Sequence, residues 1–357
     1  MGILEKYSSV AEIFQAMEKE RLDGISLADI IGGGSPLEVA ADSVRLISMT
    51  AGLHPTDNIL DLGCGCGRYG TALTQHIAST SKYYGIDIVP ALIEFAQRRI
   101  TSKFGNFQFF TIEQNNSSYD YYRTASHTSS IRNISEICAS GSIDLCIATS
   151  LFTHLDFAVA KRYLEDIYAA LQVDGRAYLT FFLLDATTRA LMKGGQPSFT
   201  FGHASLDDGV YYDRPDAPMH AVAFDETTLR AVLSSCGFYI DQIQYGSWAG
   251  RRNAQTYQDV VVARRMPLVV GYVDVANVTG VTGWVAAKSG SSEPIKVNIY
   301  ADGKVVAALC ADEFRSDLVS VGYGTGHHGF RWTPSNPLPE NTIVTVYAES
   351  GEQIPVV

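Results

Sequence analysis

The chain has 357 residues, 46% of them apolar and 18% charged, with a formal net charge of −11. That length suggests two domains, and the composition is globular, with apolar mass for a large core. The acidic balance and the lack of any Lys/Arg cluster argue against nucleic acid or an anionic membrane as the main partner.

The opening MGILEKYSSV has no apolar h-region, so no signal peptide is expected. Lys6 stands where a myristoylation signal needs Ser or Thr. Residues 8–52 read as helical, with Ala11, Ile13, Phe14, Met17 and Leu22 at near-helical spacing. Gly32-Gly33-Gly34 interrupts them, and Ser35 and Pro36 suit the N-cap and first turn of a second helix through about Thr50.

From Asn58 onward strands and helices alternate. Strands are expected over 59–62, 82–87, 107–112, 142–149 and 176–184, with helices after the first, second and fourth, the last over 158–171. Strand–helix–strand series predict parallel βαβ units in a sheet covered on both faces. Residues 186–224 read as an irregular, aromatic-rich, lid-like insertion. A helix over 226–236, ended by Gly237, and strands over 238–245 and 257–263 complete the unit.

Near Arg265-Met266-Pro267 the pattern changes to short alternating runs punctuated by turns such as Asp302-Gly303, which predicts a β-sandwich or barrel over 268–357. The apolar stretch 268–287 alternates and contains Asp274 and Asn277, as a strand does and a membrane span does not. The six cysteines form neither a disulfide framework nor a CxxC pair, so reduced thiols in a cytoplasmic protein are expected.

The strongest local feature is Asp61-Leu62-Gly63-Cys64-Gly65-Cys66-Gly67, after a strand and before a helix. Glycines there let the backbone turn tightly and a ligand approach main-chain atoms. The spacing is G-x-G-x-G, not the dinucleotide G-x-G-x-x-G, and Asp61 before it favours a cation over a pyrophosphate. Asp87, twenty residues after Gly67 at the tip of the second strand, can accept both hydroxyls of a ribose or cap the helix beginning at Pro90.

These pieces resemble the class I S-adenosylmethionine-dependent methyltransferases. The resemblance rests on ILDLGCGCGRYG at 59–70, YYGIDIVPALIEFAQ at 83–97, IDLCIATSLFTHL at 143–155 and VDGRAYLTFFLLD at 173–185, and spans roughly residues 30–265. It implies an α/β fold, a Rossmann-like seven-stranded methyltransferase sheet with helices on both faces, in a domain over 1–265. It further implies that S-adenosylmethionine is the cofactor and S-adenosylhomocysteine the product. Asp61, Gly63, Cys64 and Gly65 would then surround the methionine part, Asp87 would hold the ribose, and Ile88 would pack on the adenine. Glu113 and Gln114 would border the adenine, with Glu113 standing where the family often has Asp. Thr149 and Ser150 would line the transfer pocket.

Methyl transfer to an oxygen of high pKa needs a base, and His154, just after the fourth strand, is the candidate. A ring bonded to a nearby backbone group is the structural alternative. Tyr119, Asp185 and His203 are candidates for substrate contact, and no tight ligand cluster points to a metal.

In the C-terminal module, Asp302-Gly303, Ala311-Asp312, Arg315-Ser316-Asp317-Leu318 and Gly326-His327-His328-Gly329-Phe330 resemble a small β domain appended to bacterial glycosyltransferases. Ser316 stands where that pattern has Pro. The resemblance implies a surface-polysaccharide setting and O-methylation of a sugar hydroxyl. A glycan or small-molecule acceptor is expected, without a membrane span, with a homo-oligomer or a glycan-assembly partner left open. The alternatives are a small-molecule O- or N-methyltransferase, a non-catalytic cofactor-binding adaptor, or a nucleotide-dependent dehydrogenase or epimerase, which the glycine spacing disfavours.

Overall fold

The computed structural model describes residues 3–112, 130–195, 197–205, 209–288 and 291–357. The chain divides into two compact units, Met1–Arg265 and Met266–Val357.

After short helical turns at Ile3–Lys6 and Ser8–Val10, the first unit forms helix α1 (Ala11–Lys19), whose Ile13, Phe14 and Met17 are buried. The predicted helical run then breaks. Asp23 (φ 51°) and Gly24 (φ 82°) turn a small hairpin, Arg21–Leu22 against Ile25–Ser26. An Asp-Gly pair takes the left-handed angles of a two-residue hairpin loop more readily than it continues a helix. Helix α2 (Pro36–Thr50) starts as expected, with the Ser35 hydroxyl accepting from the Glu38 N–H.

The main sheet is built from β1 (Ile59–Leu62), β2 (Tyr83–Asp87), β3 (Phe107–Ile112), β4 (Ser130–Ile131), β5 (Ile143–Ala148), β6 (Leu171–Phe181), β7 (Phe238–Gln244) and β8 (Asp259–Arg265). Their spatial order is β7-β8-β6-β5-β1-β2-β3-β4. Pairings are parallel from β6 to β4 and antiparallel for β7–β8 and β8–β6. Seven of these strands were expected. The eighth, β4, is a two-residue edge with too short a pattern to read. Connecting helices include α3 (Arg68–Leu73), α4 (Pro90–Ala96), α5 (Phe157–Ala170) and α7 (Glu226–Ser235).

Alternate strand residues enter opposite core layers. Leu60, Leu62, Cys146 and Ala148 pack with Tyr163, Leu164 and Ile167 of α5 and Leu229 and Leu233 of α7. Ile59, Leu145 and Ile147 pack with Phe14 and Met17 of α1, Val44 and Ile47 of α2, and Phe95 of α4. The period of two thus gives a sheet buried on both faces.

The insertion is more regular than its composition suggested. The chain leaves the main sheet after Phe181, not Leu184, and Leu183–Leu184 joins a second, four-stranded sheet with 203–204, 210–212 and 222–225. Buried Asp259 pins this departure, accepting from the Leu183 N–H, the Gly246 N–H and the Trp248 indole N–H, each at 2.7 Å. Helix α6 (Ala186–Gly194) also lies in this segment.

The second unit holds one four-stranded and one three-stranded antiparallel sheet. Val273, Val281, Val285 and Phe330 of the former share a core with Val297, Ile299 and Val346 of the latter. It is not purely β, because Ser316–Ser320 forms a short helix whose Leu318 packs on Trp284. Arg315 pairs with Asp274 and Asp317, and His327 is exposed while His328 is buried, as neighbours on a strand must be. No helix among the described residues is long and apolar enough to cross a membrane.

Candidate active site

A cavity of about 510 Å³ opens at the carboxyl ends of β1, β2 and β5. Ligand sites typically enclose about 300–1,000 Å³. From β1 the chain winds one way to β2 and β3 and then returns to place β5 on the other side, so the cavity sits where the strand order reverses.

The glycine loop forms one wall. Gly63, Gly65 and Gly67 have φ of 75°, 57° and 81°, which L side chains rarely adopt. A Cβ on Gly65 would lie 2.6 Å from the Ile31 side chain, and one on Gly67 2.5 Å from Ile100. The Asp87 carboxylate braces the loop from β2, accepting from the Gly65 N–H and the Val89 N–H, both at 2.9 Å. Burial raises its pKa against the lowering effect of those N–H groups.

Gly63, Cys64, Gly65, Asp87, Ile88, Thr149, Ser150 and His154 therefore line one cavity. Asp61 does not line it. It lies 1% exposed on the sheet face beneath the loop, accepting from the Tyr83 hydroxyl at 2.5 Å. Burial pushes its pKa up to about 7.

Two other candidates are placed elsewhere. Asp185 caps α6, accepting from the Thr188 N–H at 2.7 Å, and pairs with Arg251 at 2.6 Å. That carboxylate is held by a helix end and an ion pair and does not line the cavity. His203 is exposed on an edge strand of the insertion sheet and lines no part of the cavity. Glu113, Gln114 and Tyr119 lie outside the described residues.

His154 ends a short 3₁₀ turn, Phe152–His154, after β5. Its Nδ1 lies 3.0 Å from the Met219 carbonyl oxygen, in the Pro218–His220 turn of the insertion. A carbonyl only accepts, so Nδ1 carries the proton and Nε2 is the acceptor nitrogen of the neutral ring. Burial holds the His154 pKa below the ordinary imidazole value, with backbone hydrogen bonds to Met219 and His220 acting in the opposite direction.

Further lining residues had no obvious mark in the sequence. Asp29, Ile30, Ile31 and Gly32 form a strap from the N-terminal segment, and the Arg68 guanidinium donates to the Gly33 carbonyl at 3.4 Å. The three-glycine run was the available signal for that strap. Met219 arrives through the insertion, and Tyr163 through α5. Among the described residues the cavity wall offers three carboxylates (Asp29, Asp87, Asp156) and one guanidinium, a donor set suited to a ligand bearing hydroxyls and positive charge rather than phosphate. No group of three His, Cys, Asp or Glu among the described residues is placed to hold a metal ion.

Residues 60–177, which carry the glycine loop, Asp87 and His154, match a family model described as a methyltransferase domain. Solved structures with similarity include a SAM-dependent methyltransferase from Methanosarcina mazei, 21% identical, over 62% of this chain and 97% of that one, with a TM-score of 0.38. Magnesium protoporphyrin IX methyltransferase from Synechocystis, with bound S-adenosylhomocysteine, is 17% identical over 72% of this chain and 95% of that one, with a TM-score of 0.40. A methyltransferase from Mesorhizobium loti is 15% identical over 66% of this chain and 100% of that one, with a TM-score of 0.41. That family match lies over the glycine loop, Asp87 and His154, so residues 60–177 are similar to a methyltransferase domain and carry the cavity's main lining.

Proposed function

We propose that this enzyme methylates a hydroxyl oxygen of a sugar, with His154 as the general base. The observation that carries the reading is the placement of the His154 ring on the same cavity as the glycine loop and Asp87, with its tautomer set by the Met219 carbonyl. In this reading Gly63, Cys64 and Gly65 follow the methionine part of the cofactor, Asp87 accepts from the ribose hydroxyls, and Ile88 packs on the adenine. Thr149 and Ser150 stand at the transfer end.

The cofactor supplies an electrophilic methyl on a sulfonium, whose displacement needs alignment more than activation. The protein's tasks are then to orient the acceptor hydroxyl and to take its proton. Neutral His154 can do the second, and its lowered pKa favours the unprotonated ring at neutral pH.

The sugar assignment rests on the resemblance of the C-terminal unit to modules of glycan-modifying enzymes. We read its two sheets as a β-sandwich. Within that module Arg315 bridges Asp274 and Asp317.

The test is calorimetry with S-adenosylhomocysteine, followed by incubation with the methyl-labelled cofactor and a panel of glycans and nucleotide sugars. His154→Ala should keep product affinity and lose label transfer. Full transfer by that variant would remove His154 as base, and labelling of amines but no hydroxyls would overturn the acceptor class.

A further inference from the structure

We infer that Gln258, outside the cavity, is a positioning residue that holds the transfer end of the site in shape. The inference rests on the cofactor placement proposed above.

Ser150 lines the cavity with a φ of 54°, in the left-handed region that a serine rarely occupies. Its N–H donates to the Thr180 hydroxyl on β6 at 2.7 Å, and its hydroxyl donates to the Gln258 amide oxygen at 3.1 Å. The Thr180 hydroxyl donates to that same oxygen at 2.6 Å. The Gln258 amide nitrogen reaches the Thr153 hydroxyl at 3.5 Å. One side chain thus joins the left-handed residue at the tip of β5 to the residue before His154. Donors and acceptors match throughout: the amide oxygen accepts from two hydroxyls, and the Thr180 oxygen accepts from the Ser150 N–H.

The brace has a firm footing. Gln258 immediately precedes β8, and the next residue is Asp259, the buried carboxylate with three N–H donors. Gln258 therefore reaches the Ser150 turn from a backbone that is itself held. Without the amide, Ser150 loses one of the two bonds that favour its left-handed angle, and the wall carrying Thr149, Ser150 and His154 can relax. Positioning faults of this kind are costly, because about 1 Å of misplacement can cost roughly 100-fold in rate.

Glycine adopts a φ near +54° unaided, which supplies the test. Calorimetry with S-adenosylhomocysteine would compare Gln258→Leu in the parent chain and in a Ser150→Gly background, with thermal unfolding recorded for all four proteins. The expected result is an affinity loss of roughly tenfold in the parent and less than about twofold in the glycine background, a coupling typical of residues in contact. Equal losses in both backgrounds, or no loss in the parent, would overturn the inference; a lower melting temperature alone, with unchanged affinity, would mark Gln258 as structural only and overturn it too. If Gln258→Leu does not fold, the double variant against Ser150→Gly still decides, since an affinity loss there contradicts the proposal. Failure of the parent chain to bind the probe would instead refute the cofactor placement, and with it this inference.

Discussion

Replacing Asp87 with Ala removes two functions that can be measured apart. Each carboxylate oxygen already accepts one backbone N–H at 2.9 Å, from Gly65 and Val89. The Ile88 N–H also acts on the carboxylate, which leaves it the capacity to accept one ribose hydroxyl. A hydrogen bond to a charged acceptor contributes about 1.5–3 kcal/mol. At about 1.4 kcal/mol per decade, its loss corresponds to roughly 10- to 150-fold weaker binding of S-adenosylhomocysteine. The same substitution leaves the Gly65 and Val89 N–H groups without their partner, which costs stability as well, about 1–3 kcal/mol for each that stays buried. Calorimetry of the parent and Asp87→Ala with S-adenosylhomocysteine and its 2′,3′-dideoxy analogue separates the two. The parent should discriminate against the analogue, and the variant should bind both alike. A variant that weakens both ligands by the same factor, retaining the discrimination, would show that Asp87 only braces the loop and would refute the ribose assignment.

Gly67→Ala combines a left-handed φ, about 1–2 kcal/mol for a side chain, with overpacking against Ile100 and Phe109, about 1–3 kcal/mol. At about 2–4 °C per kcal/mol for a domain of this size, melting should fall by roughly 4–20 °C. Gly105→Ala, exposed and with open space around it, should stay within about 0.5 kcal/mol of the parent. Asp61 has a folded pKa of about 7 against an ordinary 3.8, so its contribution is present below pH 3.8 and lost as pH rises through 7. Asp61→Asn should therefore melt higher than the parent at pH 8, with the gain vanishing near pH 4; no gain at pH 8 would show that burial does not penalise this carboxylate. His76 is shifted the opposite way, lowered to about 4 by burial, so its contribution is present above pH 6.5 and lost as pH falls towards 4. His76→Gln, which can still accept from the Tyr7 hydroxyl, should flatten the melting profile across that window, and an unchanged profile would contradict this assignment. For transfer, the low His154 pKa predicts an acid limb with its midpoint below 6.5, absent in His154→Ala; a midpoint above 6.5 would point to another base.

Much of the fold was legible locally. The apolar run along β5 and the strand–helix–strand order announced a sheet buried on both faces, because strand side chains change face at every residue and both faces then need apolar groups. The glycines at 63, 65 and 67 announced a tight turn, and Asp87 announced a carboxylate at a strand tip, since those needs are met by single residues at fixed offsets. Asp23-Gly24 carried a hairpin signal that helical periodicity on either side masked. β4 could not be read, because two residues make no pattern.

The site depended more on residues brought together from afar. Met219 meets His154 only because the 186–224 insertion forms its own sheet and turns at Pro218–His220. Asp185 was a candidate for substrate contact at the end of a strand, but the chain leaves the main sheet at Phe181, and the carboxylate caps α6 and pairs with Arg251. Asp61 looked like a ligand, but its place on the strand turns it onto the face that packs against Tyr83. Local sequence determined which backbone shapes were accessible and which faces were apolar, because sterics and periodicity act over a few residues. Tertiary structure alone decided which polar groups meet, because hydrogen-bond partners such as Ser150 and Gln258 are 108 positions apart and only the packed sheet fixes their separation.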